Sequence, residues 1–515
     1  MREMDELAAG PALDAAIVGG GINGAAIARE LAARGQRVAL FEQDDFGSGT
    51  TWRSTKLIHG GLRYLEHGDV RLVFESLRER KWLLKTRPHL VRPLRFLLPD
   101  LPWTRRPAWQ VGIGLTAYDA IALGGGLPRH RRVNASRAAD LSPAIRENNG
   151  GFTFFDARVL SPERLVLELV LEARRLGAAV FNHACVAEIV AGDGRVEAIT
   201  VEAGGTAWRV PVTRVINAAG PWVDAVARLA RPKAQDILGV TRGTHLVFEP
   251  EEMPTRSAVL STARSDGRVF FAIPKGKLLL VGTTDERYDG DPGAVAPTRH
   301  EADYLLAEAQ ELFPRAGLGN DRFRYAYAGL RPLVRAAGGP AAAISRRHEV
   351  IDHGRRGGPD GLFSVVGGKL STFRPLAREM ADALGTNRPS RGDENGFSGT
   401  ATDFPNEPGK ALRIYGDAAG DVAALGREFV CEHAWVTTGQ VRYATRHEMA
   451  RSLADIVLRR TGMGWSATRG LCCVESVADV AAAELGWGQD ERTAQLEELR
   501  SEVRRHLPAF EEIPP

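Results

Sequence analysis

The stretch from Asp14 to Glu42, DAAIVGGGINGAAIARELAARGQRVALFE, constrains this chain more than any other part of it. A short apolar run, Ala15 to Val18, leads into Gly19, Gly21 and Gly24 with the spacing G-x-G-x-x-G. Ala25 to Ala33 then reads as helix, and Arg37 to Phe41 as a second strand closed by Glu42. The pattern predicts a β-α-β unit that binds a dinucleotide. Gly19 permits the tight turn, Gly21 lets a pyrophosphate approach the backbone, and Gly24 lets the helix pack closely on the strand. The helix's unsatisfied N–H groups then face the phosphates. Glu42 is placed to accept a hydrogen bond from a ribose hydroxyl.

At 515 residues the chain can bury two or three cores, and its 44% hydrophobic content excludes a disordered protein. The net charge of +3 is too small to argue for nucleic acid. Cys185, Cys431, Cys472 and Cys473 form no C-x-x-C pair and show no metal spacing with histidine. Reduced thiols and no metal are therefore expected, with Cys472-Cys473 as part of a core. His447-Glu448-x-x-Arg451 lacks the second histidine of H-E-x-x-H and reads as a solvated helix face. The opening MREMDELAAG lacks the basic region and apolar core of a signal peptide, and Val111 to Leu127 is interrupted by Asp119. These features predict a protein of the cytoplasm or of the inner face of the cell membrane.

After Glu42 comes QDDFGSGTTWRSTKLIHGGLRYLEHGD, rich in glycines and hydroxyls that suit phosphate and heterocycle edges. The run Ser54-Thr55-Lys56-Leu57-Ile58-His59-Gly60-Gly61-Leu62-Arg63-Tyr64-Leu65-Glu66 resembles the signature of FAD-dependent, quinone-linked glycerol-3-phosphate dehydrogenases, which fall in the D-amino-acid oxidase-like flavoprotein group. The resemblance extends to about residue 390 and makes the dinucleotide FAD rather than NAD. It implies cofactor contacts from Gly19, Gly21, Gly24, Glu42, Thr50, Thr51, Lys56, Leu57 and His59. Further contacts are implied for Val186, Gly220, Trp222, Gly368, Leu370 and Ser371. Trp52 departs from the family, which more often has a small polar residue there.

Further along, Leu77 to Trp109 begins as helix and continues as a basic, proline-rich connection. Its Trp82, Phe96, Leu97, Leu98 and Trp103 suit an anionic membrane interface. FTFFDARVL, the cap-like Ser161-Pro162-Glu163 and an amphipathic run from Arg164 to Leu176 restore a strand-turn-helix pattern. A hairpin is expected around Asp193-Gly194, and Arg214 to Trp222 reads as a strand ending in small residues that pass close to a dinucleotide. From Val223 to Gly338 the chain reads as antiparallel strands, with Thr283-Thr284-Asp285 and Gly329-Leu330-Arg331-Pro332 at strand ends. Gly367 and Gly368 let the backbone reach a flavin ring, with a helix N-terminus aimed at it.

The expected fold is α/β, with three parts. Residues 12–80, 151–225 and 340–388 form a discontinuous Rossmann-like FAD-binding domain. An antiparallel β-sheet domain for substrate and membrane takes 81–150 and 226–339. A linker over 389–408 leads to a helical C-terminal domain over 409–515, with helices over Ala411 to Phe429, Val441 to Arg460, Val474 to Leu485 and Asp490 to Leu507.

Flavin oxidation of a secondary alcohol needs a base for the hydroxyl proton, and a phosphorylated substrate needs a cationic anchor. His245 is the expected base, because histidine titrates near neutrality without help, and His59 is the alternative. The resemblance places Arg331 and Arg346 on the substrate phosphate, Lys369 beside the flavin and the substrate oxygen, and Arg63, Tyr64 and Thr284 around the pocket. The implied activity converts sn-glycerol 3-phosphate to dihydroxyacetone phosphate and passes electrons to membrane quinone. An oxidase using oxygen, an amine or amino-acid oxidase of the same group, and a flavin-bound regulator are the rivals. The implied partners are the quinone and an anionic membrane surface, with room for a homodimer.

Overall fold

The computed structural model describes residues 2–62, 65, 69–122, 125–319, 321–335, 347–386, 388–391 and 411–505. Arg63, Tyr64 and Arg346, and most of the expected linker, lie outside the described residues.

Six short strands make the sheet that carries the glycine turn. In order across the sheet they are Glu349–Asp352, Leu362–Val366, Val215–Asn217, Ala15–Val18, Val38–Phe41 and Ala179–Phe181. All neighbours are parallel except the first pair. The inner strands are apolar at nearly every position because both faces are covered, as a parallel sheet requires. Helices Ile22–Ala33, Pro162–Arg175 and Phe373–Ala383 join one core. A three-stranded sheet, Cys185–Gly192, Arg195–Ala203 and Thr206–Pro211, forms the other, with its first hairpin turning at Asp193-Gly194 as expected. Ser161 caps the Pro162–Arg175 helix by accepting from the Arg164 N–H at 3.1 Å.

The second large sheet has ten strands among the described residues. Its longest pair is Leu238–Phe248 against Phe323–Val334, antiparallel from Leu238 opposite Val334 to Phe248 opposite Phe323. Arg331 therefore sits within a strand that continues to Val334, and not at its end. Two further expectations are corrected here. The supposed connection before Trp109 contains the strand Val91–Pro99, and the 151–159 segment assigned to the dinucleotide domain pairs with it along its whole length. The sheet is also mixed, since Val91–Pro99 runs parallel to Ala258–Thr262. Pro93 disguised this strand. It is tolerated because the parallel neighbour reaches only Phe96 and Leu97, so only one side of Pro93 needs a ladder bond.

Phe96 and Leu97 consequently lie in the core, and Trp82, Leu98 and Trp103 are half-buried. The exposed large apolar groups among the described residues are others: Val70, Phe74, Trp109 and Ile113, the last two on helix Ala108–Ile121, with Phe429 and Trp435 in the C-terminal region. No described helix is long and apolar enough to cross a membrane.

The C-terminal region is mostly helical, with a small hairpin of Phe429–Cys431 and Val436–Thr437. The expected Val441 to Arg460 helix breaks: Thr438–His447 ends, Met449 takes a φ of +58°, and a π-helical turn follows over Asp455–Arg460. The break carries Glu448 inward to meet the buried Arg164 guanidinium, so Glu448 is core and not a solvated face. Helices Val474–Leu485 and Gln489–Arg504 complete this core.

Candidate active site

A cleft of about 480 Å³ opens along the C-terminal ends of the parallel strands. Gly19 turns the chain with a φ of +108°, and a Cβ at Gly24 would lie 1.9 Å from the Gly19 carbonyl oxygen, so both positions demand glycine. At Gly21, by contrast, a Cβ would meet only Thr51 Oγ1 at 3.5 Å, and at Gly220 it would meet nothing within 4 Å. The backbone there faces open cleft, as a pyrophosphate requires. Thr51 Oγ1 accepts from the Ile22 N–H at 3.2 Å, which fixes the loop against the helix start. Asn23 donates to the Gly367 carbonyl at 3.3 Å, while its Oδ1 is buried without a hydrogen-bond partner among the described residues. These features fit FAD.

Glu42 accepts from the N–H groups of Gly20 at 2.6 Å and Asp44 at 2.9 Å. Burial outweighs those donors and raises its pKa to about 7. A ribose hydroxyl donating to Glu42 would favour the ionised form, so cofactor uptake below neutrality would expel a proton. Apoprotein affinity for FAD is therefore expected to rise with pH up to about 7, by at most about tenfold per unit, and then level off. Glu42→Gln should flatten the profile. Fluorescence titrations of apoprotein with FAD check this, and a flat wild-type profile rejects it.

Of the residues implied by the resemblance, Gly19, Gly21, Glu42, Thr50, Thr51, Val186, Gly220, Trp222, Gly368, Lys369 and Leu370 line this cleft. Gly24 supports it from beneath. Lys56, Leu57, His59, Ser371, Thr284 and Arg331 are not among its lining, although Pro332, the neighbour of Arg331, is. Lys56 points away, donating to the Trp52 carbonyl at 2.7 Å with Nζ 3.3 Å from the Trp465 ring centre. Burial holds its pKa well below the usual lysine value. Trp52, the departure from the family, packs on Tyr327 and Trp465 in the same cluster and leaves the cleft to its neighbours.

His245 is buried and is not among the cleft's lining; it stacks on Tyr327 at 4.8 Å, with Nε2 2.9 Å from Thr55 Oγ1, whose neighbour Ser54 does line the cleft. Its Nδ1 has no hydrogen-bond partner among the described residues. Burial, then Lys56 and Arg331, push its pKa well below 6.5, so the ring is neutral. Arg331 donates to Asp285 at 3.0 Å and to Thr283 Oγ1 at 3.1 Å. Thr284 is committed elsewhere: its hydroxyl donates to Glu301 at 2.7 Å and accepts from the Thr244 N–H at 2.9 Å. The Lys369 ammonium donates to Ser76 at 3.4 Å.

Two groups of cleft residues escaped the sequence reading. Arg53 lines the cleft with its Nε buried and without a hydrogen-bond partner among the described residues, and burial lowers its pKa to about 10, which still leaves it cationic. The S-T-K motif drew attention past it. The second group is a wall from the C-terminal region: Ser452, Ala454, Arg459, Glu498, Glu502 and Arg505. It is fastened at Asp45, fully buried, which accepts from Arg459 at 2.7 Å, from Arg460 at 2.6 and 2.7 Å, and from Asn182 at 3.0 Å. Asp45, three residues after Glu42, and the pair Arg459-Arg460 were the available signal.

Residues 14–383 match the family described as FAD dependent oxidoreductase, and residues 401–492 match the C-terminal domain of alpha-glycerophosphate oxidase. A glycerol-3-phosphate dehydrogenase of Synechocystis is 35% identical, covering 98% of this chain and 99% of the relative. A D-erythritol 1-phosphate dehydrogenase of Brucella abortus is 34% identical over 87% of this chain and 94% of its own. Among solved structures, the glycerol-3-phosphate dehydrogenase of Bacillus halodurans complexed with FAD aligns with a TM-score of 0.79 at 27% identity, covering 100% of this chain and 99% of that one. From its glycine turn to its last described helices, the chain belongs to the family of FAD-dependent glycerol-3-phosphate dehydrogenases, and FAD is its cofactor.

Proposed function

We propose that this protein oxidises sn-glycerol 3-phosphate to dihydroxyacetone phosphate and delivers the electrons to a membrane quinone. The observation that carries this reading is that Arg53 and Lys369 line the same cleft as the glycine turn and Glu42, while Thr55, the neighbour of the lining residue Ser54, lies 2.9 Å from the ring of neutral His245. FAD, when bound, supplies the acceptor for the hydride that leaves the secondary carbon. The protein's own part is to remove the hydroxyl proton and to hold the phosphate. His245 takes the proton on Nδ1, which has no hydrogen-bond partner among the described residues, in the tautomer whose Nε2–H donates to Thr55 Oγ1. Arg331, with Arg53 beside the cleft, anchors the phosphate; Lys369 steadies the substrate oxygen.

Anaerobic addition of glycerol 3-phosphate to the yellow protein should bleach the flavin absorbance, and an unchanged spectrum rejects the reading. Arg331→Ala removes a charge-assisted bond of roughly 1.5 to 3 kcal/mol, so KM should rise about 10- to 150-fold. Steady-state kinetics check this, and an unaltered KM excludes Arg331 from the phosphate site.

The exposed Val70, Phe74, Trp109 and Ile113 support a membrane acceptor, as helix Ala108–Ile121 buries only Leu115 and Tyr118 despite its apolar sequence. Trp109→Glu with Ile113→Glu should abolish co-sedimentation with anionic vesicles and spare flavin bleaching by substrate. Retained sedimentation would place the contact elsewhere. A second reading, oxygen as acceptor, is favoured by the oxidase-type C-terminal match. Hydrogen peroxide released stoichiometrically under air would establish it.

A further inference from the structure

Three of the four cysteines, Cys431 and the adjacent pair Cys472-Cys473, come together although 41 positions separate the first from the second. Cys431 ends the first strand of the C-terminal hairpin and His433 sits in the turn that follows. Cys472 and Cys473 lie in one 3-10 turn, Leu471–Cys473, that runs into helix Val474–Leu485. The sulfurs of Cys431 and Cys472 are 3.9 Å apart, those of Cys472 and Cys473 are 3.6 Å apart, and Cys473 Sγ is 4.0 Å from His433 Nδ1. All four ligand atoms lie within 4.8 Å of one another. Around a tetrahedral zinc ion, bonds of about 2.3 Å to sulfur and about 2.0 Å to nitrogen put neighbouring ligand atoms about 3.6 to 3.8 Å apart.

We propose that Cys431, His433, Cys472 and Cys473 bind one zinc ion as a closed structural site. The chemistry favours a soft divalent cation in tetrahedral geometry: three sulfurs this close offer one another only weak hydrogen bonds, and as thiolates they would repel without a positive centre. The separations exceed a disulfide bond, so the thiols are reduced. Cys431 and Cys473 face the C-terminal core, while exposed His433 and Cys472 leave an entry path. Four protein ligands leave no position for substrate, which makes the role structural. The ion would tie the hairpin to helix Val474–Leu485, the two elements flanking the turn that supplies Arg459 and Arg460.

The test uses the full-length FAD-bound protein, prepared without chelators. Elemental analysis should find about one zinc per chain. His433→Ala, a surface change that leaves the core thiols in place, should lose most of it, as should Cys473→Ser. Protein produced with cobalt should show thiolate-to-cobalt charge-transfer absorption that His433→Ala weakens, while far-ultraviolet dichroism verifies that the variant is folded. Metal-free protein whose cysteines all react with a thiol reagent and which takes up no added zinc would overturn the proposal. So would a disulfide between Cys431 and Cys472 found by mass spectrometry, or iron with acid-labile sulfide in place of zinc.

Discussion

His245→Ala is expected to slow anaerobic reduction of the bound flavin by glycerol 3-phosphate by about a hundredfold or more, with FAD content unchanged. The ring is held on two sides, by Thr55 Oγ1 at Nε2 and by the Tyr327 face, and its second nitrogen has no hydrogen-bond partner among the described residues. A buried polar atom left so costs stability, and a proton acceptor is one reason to keep it. The pH dependence follows from the direction of the shift. A base must be neutral to work, and burial with Lys56 and Arg331 keeps His245 neutral well below its ordinary pKa of 6.5. The reduction rate should therefore lose nothing to this residue as pH falls through 6.5, and decline only in more acid solution. Stopped-flow traces of His245→Ala and His59→Ala, taken side by side, decide between the two histidines. A His245→Ala rate equal to wild type would transfer the role to His59.

Asp45→Ala should produce the largest loss of stability. It would leave Arg459 and Arg460 buried with one carboxylate fewer, and removing one partner of a buried ion pair typically costs about 3 to 5 kcal/mol. Arg459 keeps Asp455 and Glu502, and Arg460 keeps the Glu448 carbonyl, so the lower part of that range is expected. Asp45→Asn retains the shape but not the charge, and should fall between. Because Arg459 lines the cleft, the variant should also release FAD at lower temperature than it unfolds. Thermal scans that follow flavin fluorescence and tryptophan emission together test both points. Identical scans for Asp45→Ala and wild type would show that the clamp contributes nothing.

The parts legible in the sequence were those whose chemistry is local. The glycine turn, the strands either side of it, Glu42, the Ser161 cap and the Asp193-Gly194 hairpin all depend on residues within one turn or one β-α-β unit. The strand Val91–Pro99 was hidden because basic and aromatic residues alternating along a buried strand look the same as those of an interfacial segment. The apolar run from Val111 was read only as too interrupted to span a bilayer; that Trp109 and Ile113 of helix Ala108–Ile121 face outward depends on how the helix packs, which the sequence does not state. Arg331 was placed at a strand end because its G-L-R-P sequence reads as a turn, whereas pairing with Leu238–Phe248 holds it in extended backbone. The C-terminal wall was beyond reach for a different reason. Asp45 and Arg460 are 415 positions apart, and only the packed chain says that they meet.

That separation has a consequence for how the protein is made. Groups bordering the cleft run from Val18 to Arg505, so a growing polypeptide cannot present a finished nucleotide site until nearly all of it has left the ribosome. At bacterial or eukaryotic translation speeds the wait is on the order of a minute. During that interval Asp45 has no guanidinium to neutralise it, and the nascent chain is exposed to proteases and self-association. The complete border of the cleft, from Val18 to Arg505, is therefore available to FAD only on the finished polypeptide.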